Sequence, residues 1–128
     1  MTKEEKGTKP HYGTVNFERR NPPSFNVDLP IEFSRTDLFV KHGRAVNASE
    51  GGLLLSLPEK MEIGQHLSLK LFFTSDFELD AIEIFVEVSW RDIHLGEGEG
   101  DYRTGVRFVE ISMEDMGKLK NFLRSLSG

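Results

Sequence analysis

Two short clusters in this 128-residue chain carry side chains suited to gripping a small phosphate-bearing or purine-bearing ligand. The first is Arg19-Arg20. A guanidinium presents a planar fork of donors that matches two phosphate oxygens, and the same fork fits the O6/N7 edge of guanine. The second is Asn47-x-Ser49-x-x-Gly52. Asn and Ser offer short hydrogen-bonding groups, and Gly lets backbone amides approach a ligand closely. Each cluster alone also has a plainer reading. Two adjacent arginines are commonly a solvated charge pair, and Asn47-Ala-Ser-Glu-Gly-Gly52 is by composition a tight hairpin turn.

No catalytic set accompanies them. His11, His42, His66 and His94 are scattered, without the spacing of a metal site or of a Ser-His-carboxylate arrangement. The chain has no cysteine, so it has no disulfide framework, thiolate metal site or Cys nucleophile. There is no Walker loop. Gly96-Glu-Gly-Glu-Gly100 is glycine-rich, but its carboxylates would repel a phosphate. The expectation is a binding protein rather than an enzyme, with no metal or cofactor.

Composition narrows the partners. Sixteen Lys and Arg against twenty-one Asp and Glu give a formal net charge of -5. That argues against a nonspecific binder of nucleic acid polymers or membrane surfaces, which is normally basic, but leaves room for a local basic site. No run approaches the ~18–20 apolar residues of a membrane span, and the N-terminus lacks the apolar stretch of a secretory signal. No membrane insertion and a cytoplasmic location are expected.

The elements that must position the two clusters follow from periodicity. Residues 1–18 are rich in Lys, Glu, Thr and Gly and poor in apolar residues, which predicts a flexible N-terminal tail ahead of a single domain over 19–128. Asn21-Pro22-Pro23 stiffens the chain where the tail ends. Val27, Leu29, Ile31 and Phe33 then alternate with polar residues as a half-buried strand, with Pro30 suited to an edge or a bulge. Leu38 to Val46 reads as a weaker strand with Leu38, Val40 and Val46 on one face. Leu53–Leu57, Leu67–Phe73, Ile82–Trp90 and Tyr102–Phe108 read as four more, with turns near Met61–Gly64 and Thr74–Asp76. Arg103 and Arg107 fall on the opposite face of the last strand from Tyr102, Thr104, Val106 and Phe108. Ser112 is a good helix N-cap, with Asp115 three residues on in a variant of the capping box. Met116, Leu119, Phe122, Leu123 and Leu126 make one helical stripe. Six short strands and a final helix predict an all-β-dominated fold, a six-stranded antiparallel barrel or sandwich with a C-terminal α-helix over one end or seam.

In this order, the pieces resemble a PilZ domain, the bacterial module that binds cyclic di-GMP. That family carries Arg-x-x-x-Arg before the first barrel strand and Asp/Asn-x-Ser-x-x-Gly some twenty to thirty residues later. Here twenty-six residues separate Arg20 from Asn47. Val27-Asp-Leu-Pro-Ile31, Gly43-Arg-Ala-Val-Asn-Ala-Ser-Glu-Gly-Gly-Leu-Leu-Leu55, Gly64, Val88-Ser-Trp90 and Gly105-Val-Arg-Phe108 are similar to the family as well, so the likeness runs over about 18–126. One position departs from it. The second motif arginine would fall four residues after Arg20, where Ser24 stands.

The resemblance implies a PilZ-like β-barrel and a set of roles. Arg20 grips a phosphate or guanine edge, and Arg19 contributes a second fork. Asn47 and Ser49 hydrogen-bond a guanine or its sugar-phosphate, and Gly52 holds the turn open. Trp90 offers a stacking face, although a core position is the more ordinary place for a Trp. The implied ligand is cyclic di-GMP. The implied partner is a separate, unidentified protein of motility or surface-polysaccharide control, because no output domain accompanies the barrel. The loss at Ser24 leaves open the alternative of a degenerate protein-interaction module that does not bind the nucleotide.

Overall fold

A computed structural model describes residues 23–35, 39–92 and 102–127. The expected tail over 1–18, the loop Gly96–Gly100, His11, His94 and Leu38 lie outside the described residues. Six strands are present: β1 (Ser24–Ser34), β2 (Lys41–Ser49), β3 (Gly52–Leu57), β4 (His66–Ser75), β5 (Glu78–Arg91) and β6 (Tyr102–Ile111). One helix follows, α1 (Met113–Leu126). All neighbouring strands are antiparallel, and the sheet closes on itself in the order β1-β2-β3-β6-β5-β4. This is the predicted six-stranded barrel.

The period-2 pattern fills the interior. Ile31, Phe33, Leu53, Leu55, Leu57, Leu67, Leu69, Leu71, Phe73, Ile82, Ile84, Val86, Val88, Val106 and Phe108 point inward and are buried. Removing that much apolar surface from water is the main driving force for closure. β1 pairs with β2 over most of its length but joins β4 only from Ile31 onward. Pro30 therefore stands one residue outside the β4 ladder, where its missing N–H costs no hydrogen bond on that side.

Three sequence expectations shift. In β2 the buried residues are Ala45 and Ala48, while Val40 is exposed and Val46 only half-buried. The cause is an irregularity between Ala45 and Asn47, which resets the alternation. Met61, expected in a turn, is buried in the core. The β4–β5 hairpin turns later than expected, at Asp76-Phe77, both with left-handed φ (53° and 66°). Two left-handed residues are what a two-residue type I′ turn requires. Phe is an unusual occupant, and its ring is fully exposed.

The helix starts as read: the Ser112 hydroxyl accepts the Asp115 N–H at 3.0 Å. The Asp115 carboxylate does not return to Ser112 as in a reciprocal capping box. It accepts the backbone N–H of Glu83 at 3.0 Å and so ties the first turn of α1 to β5. Further along, Lys118 Nζ meets Asp80 at 3.3 Å, and Phe122 stacks on Phe73 with ring centroids 4.7 Å apart. The apolar stripe thus lies along the β4–β5 hairpin.

Two outcomes follow from these contacts. The hydrogen bond to Asp80, aided by the charges of Asp115 and Glu114, holds the Lys118 ammonium above its usual pKa of 10.5. A group whose pKa rises on folding stabilises the fold below its unfolded pKa, and that contribution fades as pH climbs through the folded value. Lys118→Met should therefore lower Tm at about pH 8, and the gap to wild type should narrow as pH climbs above 10.5, as read by thermal unfolding. A left-handed backbone costs an L-residue roughly 1–2 kcal/mol. Phe77→Gly should raise stability in urea by about 1 kcal/mol, even after allowing for the entropy of the unfolded glycine.

Candidate nucleotide-binding site

The second motif is not confined to a turn. Asn47 and Ser49 sit on β2, Gly52 opens β3, and only Glu50-Gly51 link them. The Ser49 hydroxyl accepts the N–H groups of Gly51 (3.1 Å) and Gly52 (3.2 Å) and faces the Gly52 carbonyl at 3.3 Å. Its hydrogen-bonding capacity is largely committed to its own link, so its immediate effect is to fix that link's shape. Asn47 donates its amide to the Asn26 side chain on β1 at 3.2 Å, which leaves the Asn47 carbonyl oxygen facing outward without a partner among the described residues.

Gly52 is required by close approach. A Cβ there would lie 2.5 Å from the Val106 carbonyl oxygen on β6. The ladder continues beside it, where Phe108 N–H reaches the Gly51 carbonyl at 3.0 Å.

Strand register determines what surrounds this link. One outward row runs Asn26, Asn47, Leu54, Gly105, Trp90 across β1, β2, β3, β6 and β5, each residue the pairing partner of the next. At about 4.8 Å per strand this row is ~19 Å long. Trp90 is 49% exposed rather than in the core, a correction to the ordinary expectation for a Trp. It lies against Gly105, where a Cβ would come within 3.3–3.4 Å of the Trp90 side chain. The absence of a side chain at 105 leaves the Trp90 ring standing beside a flat floor.

A parallel row lies two residues away. Ser24 pairs with Ser49, Gly52 with Arg107, and Arg107 with Glu87. On the other flank Arg44 pairs with Ser56, and Ser56 with Arg103. Arg44 is held by Asp28, and Arg107 is ion-paired with Glu87. The Arg103 guanidinium is exposed, with no ion-pair partner among the described residues. The outcome is a shallow outward face with an aromatic wall, two amide side chains at the far end, and an arginine on each side.

Arg19 and Arg20 lie outside the described residues. The chain nevertheless joins the barrel at Ser24, directly opposite Ser49. Sequence reasoning placed Arg103 and Arg107 on the outer face of their strand but did not connect either with the motif. Alternation gives the face, while only register gives the neighbours. No group of three or more potential metal ligands occurs among the described residues, and no helix there is long and apolar enough to cross a membrane.

Comparison with known proteins adds the family. The PilZ domain model matches residues 15–125. The chain belongs to the PilZ domain family. No curated protein matches it in sequence. Among solved structures, the chain is similar to the inhibitor of motility MotI/DgrA of Bacillus subtilis, at 16% identity and TM-score 0.68, covering 87% of this chain and 53% of that one. It is also similar to the PilZ domain with c-di-GMP of YcgR from Escherichia coli, at 14% identity and TM-score 0.64, covering 86% and 92%. A third is MrkH, described as a c-di-GMP-dependent transcription regulatory factor, at 18% identity and TM-score 0.62, covering 84% and 51%. The chain thus spans about half the length of MotI and of MrkH. At these identities the likeness is one of fold.

Gly52→Ala tests the register directly. Forcing a Cβ against the β6 backbone should cost about 1–3 kcal/mol in denaturant unfolding and broaden the amide signals of Val106 and Arg107.

Proposed function

We propose that this PilZ domain is a receptor for cyclic di-GMP that relays the second messenger to a separate protein, in motility or surface-polysaccharide control, by binding rather than catalysis and in the cytoplasm. One observation carries the proposal: the register gathers Asn47, the Ser49–Gly52 link, Trp90, Arg103 and Arg107 on one outward face, and the chain joins the barrel at that same link. The similarity in fold to a YcgR domain described with c-di-GMP supports it.

The roles follow from position. Arg20 stands four residues before Ser24. At ~3.5 Å per extended residue, the backbone of Arg19 and Arg20 reaches about 14–18 Å from Ser24, enough to bring their side chains over the link and most of this face. Their guanidinium forks take a phosphate or a guanine edge. The free Asn47 carbonyl oxygen accepts from a guanine amino or imino group. Ser49 and Gly52 keep the link open beneath the ligand. Trp90 supplies a stacking plane, and a guanine base stacks on an indole much as single-stranded bases do, for roughly 1–3 kcal/mol. Arg107 is available to a phosphate only in exchange for Glu87, whereas Arg103 has no ion-pair partner to give up among the described residues. Docking of residues 19–22 onto the barrel then changes the surface that a partner reads.

Ser24 favours a second reading. It removes one charge-assisted contact, worth roughly 1.5–3 kcal/mol, hence about ten- to a hundredfold in affinity. In that reading the domain no longer binds the nucleotide and works only through protein contact.

Calorimetry with cyclic di-GMP separates the two. The receptor reading expects wild-type binding, a loss of about tenfold or more in Arg20→Ala and in Trp90→Ala, and a gain in Ser24→Arg. NMR order of residues 16–24 should rise at saturating ligand. A silent wild type with binding restored in Ser24→Arg establishes the second reading. Silence in all variants overturns the site itself.

A further inference from the structure

A concavity lies on the barrel wall beside the first turn of α1, away from the proposed nucleotide face. It is a groove of about 690 Å³ crossing β1, β4, β5 and β6. Register again gives its layout. Ser34 pairs with Ser68, Ser68 with Phe85 and Phe85 with Glu110, while Glu32 pairs with Lys70 and Lys70 with Glu83. Two large apolar side chains line it without being covered: Phe85 is 40% exposed and Val40 58%. Beside Val40, Phe39 is 71% exposed. Phe85 is held in place by the His66 ring, stacked parallel at 5.2 Å. An outward Phe in the middle of the longest strand, fixed in orientation but left in solvent, does nothing for the barrel core.

The charge around it is one-sided. Glu32, Glu83, Glu110 and Asp115 line the groove against the single cation Lys70. Lys70 lies 3.9 Å from Glu83, so it neutralises at most part of that charge. Glu110, next to Phe85, has no ion-pair partner among the described residues. Such a lining repels nucleic acid and anionic lipid, and it attracts cationic side chains.

We propose that this groove docks a segment of a partner protein that presents a large apolar side chain flanked by Lys or Arg. The apolar side chain covers Phe85 and Val40, and the cations meet Glu110, Glu83 and Glu32. This surface is separate from the nucleotide face. Phe85 and Trp90 stand five residues apart on β5, roughly 16 Å along the strand. The inference does not depend on nucleotide binding, and it gives the output of the domain a location.

The test uses the whole chain and a synthetic probe. A short amphipathic peptide of Leu and Lys, and the same peptide with Glu for Lys, are titrated into labelled protein and followed by NMR. The expected result is that the Leu/Lys peptide shifts the amides of Ser68, Phe85 and Ile111. Glu110→Lys should weaken its binding about tenfold or more, while Glu78→Lys, an acid removed from the groove, leaves it nearly unchanged. Phe85→Ala should also weaken it. Should that variant fold poorly, the exposed Glu110→Lys carries the test. Cyclic di-GMP affinity should be the same in Glu110→Lys as in wild type. Shifts elsewhere on the barrel, equal binding of the Leu/Glu peptide, or indifference to Glu110→Lys would overturn the proposal. So would a concentration-dependent dimer that Glu110→Lys dissolves, because the occupant would then be a second copy of this chain.

Discussion

Closure of the sheet through β1 is the constraint on which the rest depends. β1 hydrogen-bonds to β2 on one side and to β4 on the other, so no strand can slip by a residue without disturbing the ladder around the ring. Interior packing enforces the same register, because a one-residue slip would turn Ile31, Phe33, Leu69 and Leu71 out to water. Once the inner rows are fixed, the outer rows are fixed too. Asn26, Asn47, Leu54, Gly105 and Trp90 line up on the outside because Ala48, Leu53, Leu55, Val106 and Val88 line up within. The face proposed for the nucleotide is thus a by-product of core packing. It is presented on rigid strands, and the link that completes it is only two residues long and internally hydrogen-bonded.

Much of this was legible in the sequence where one physical rule dominated. β5 alternates from Ile82 to Val88 because one face of it is core and the other solvent. The helix was readable from its stripe and from Ser112. β2 misled, because an irregularity between Ala45 and Asn47 resets its period and a local pattern has no memory of where that happens. The core there is built of Ala45 and Ala48, whose small side chains barely register beside Val40 and Val46. Trp90 misled for the same reason: an irregularity between Val88 and Trp90 turns it outward, and nothing local reveals that break or that Gly105 lies across from it. Arg103 and Arg107 were visible as outward residues, yet their relation to the motif spans some fifty residues of chain and exists only through β3–β6 pairing.

The polar groups on the proposed nucleotide face differ in how free they are. Arg107 is tied to Glu87, Arg44 to Asp28, and Ser49 to its own backbone. Exposed ion pairs of this kind contribute little to stability, so they hold side chains in place without locking them. A phosphodiester, with one negative charge shared over two oxygens, would offer such an arginine the same two-point geometry as the carboxylate it replaced. Arg103 has no ion-pair partner and the Asn47 carbonyl oxygen no hydrogen bond among the described residues, so the face combines unengaged groups with groups already held by a partner.

The contact between Asp115 and the Glu83 N–H has a consequence for the protein's behaviour in crowded solution. β6 pairs with β5 only from Ile84 onward, so residues 78–83 of β5 have β4 on one side and α1 on the other. Without the helix those residues would offer unpaired N–H and C=O groups in an extended, partly apolar strand, the template on which sheets of different molecules join. The C-terminal helix is therefore also a guard against self-association, and its fraying would open a seam through which this barrel could polymerise.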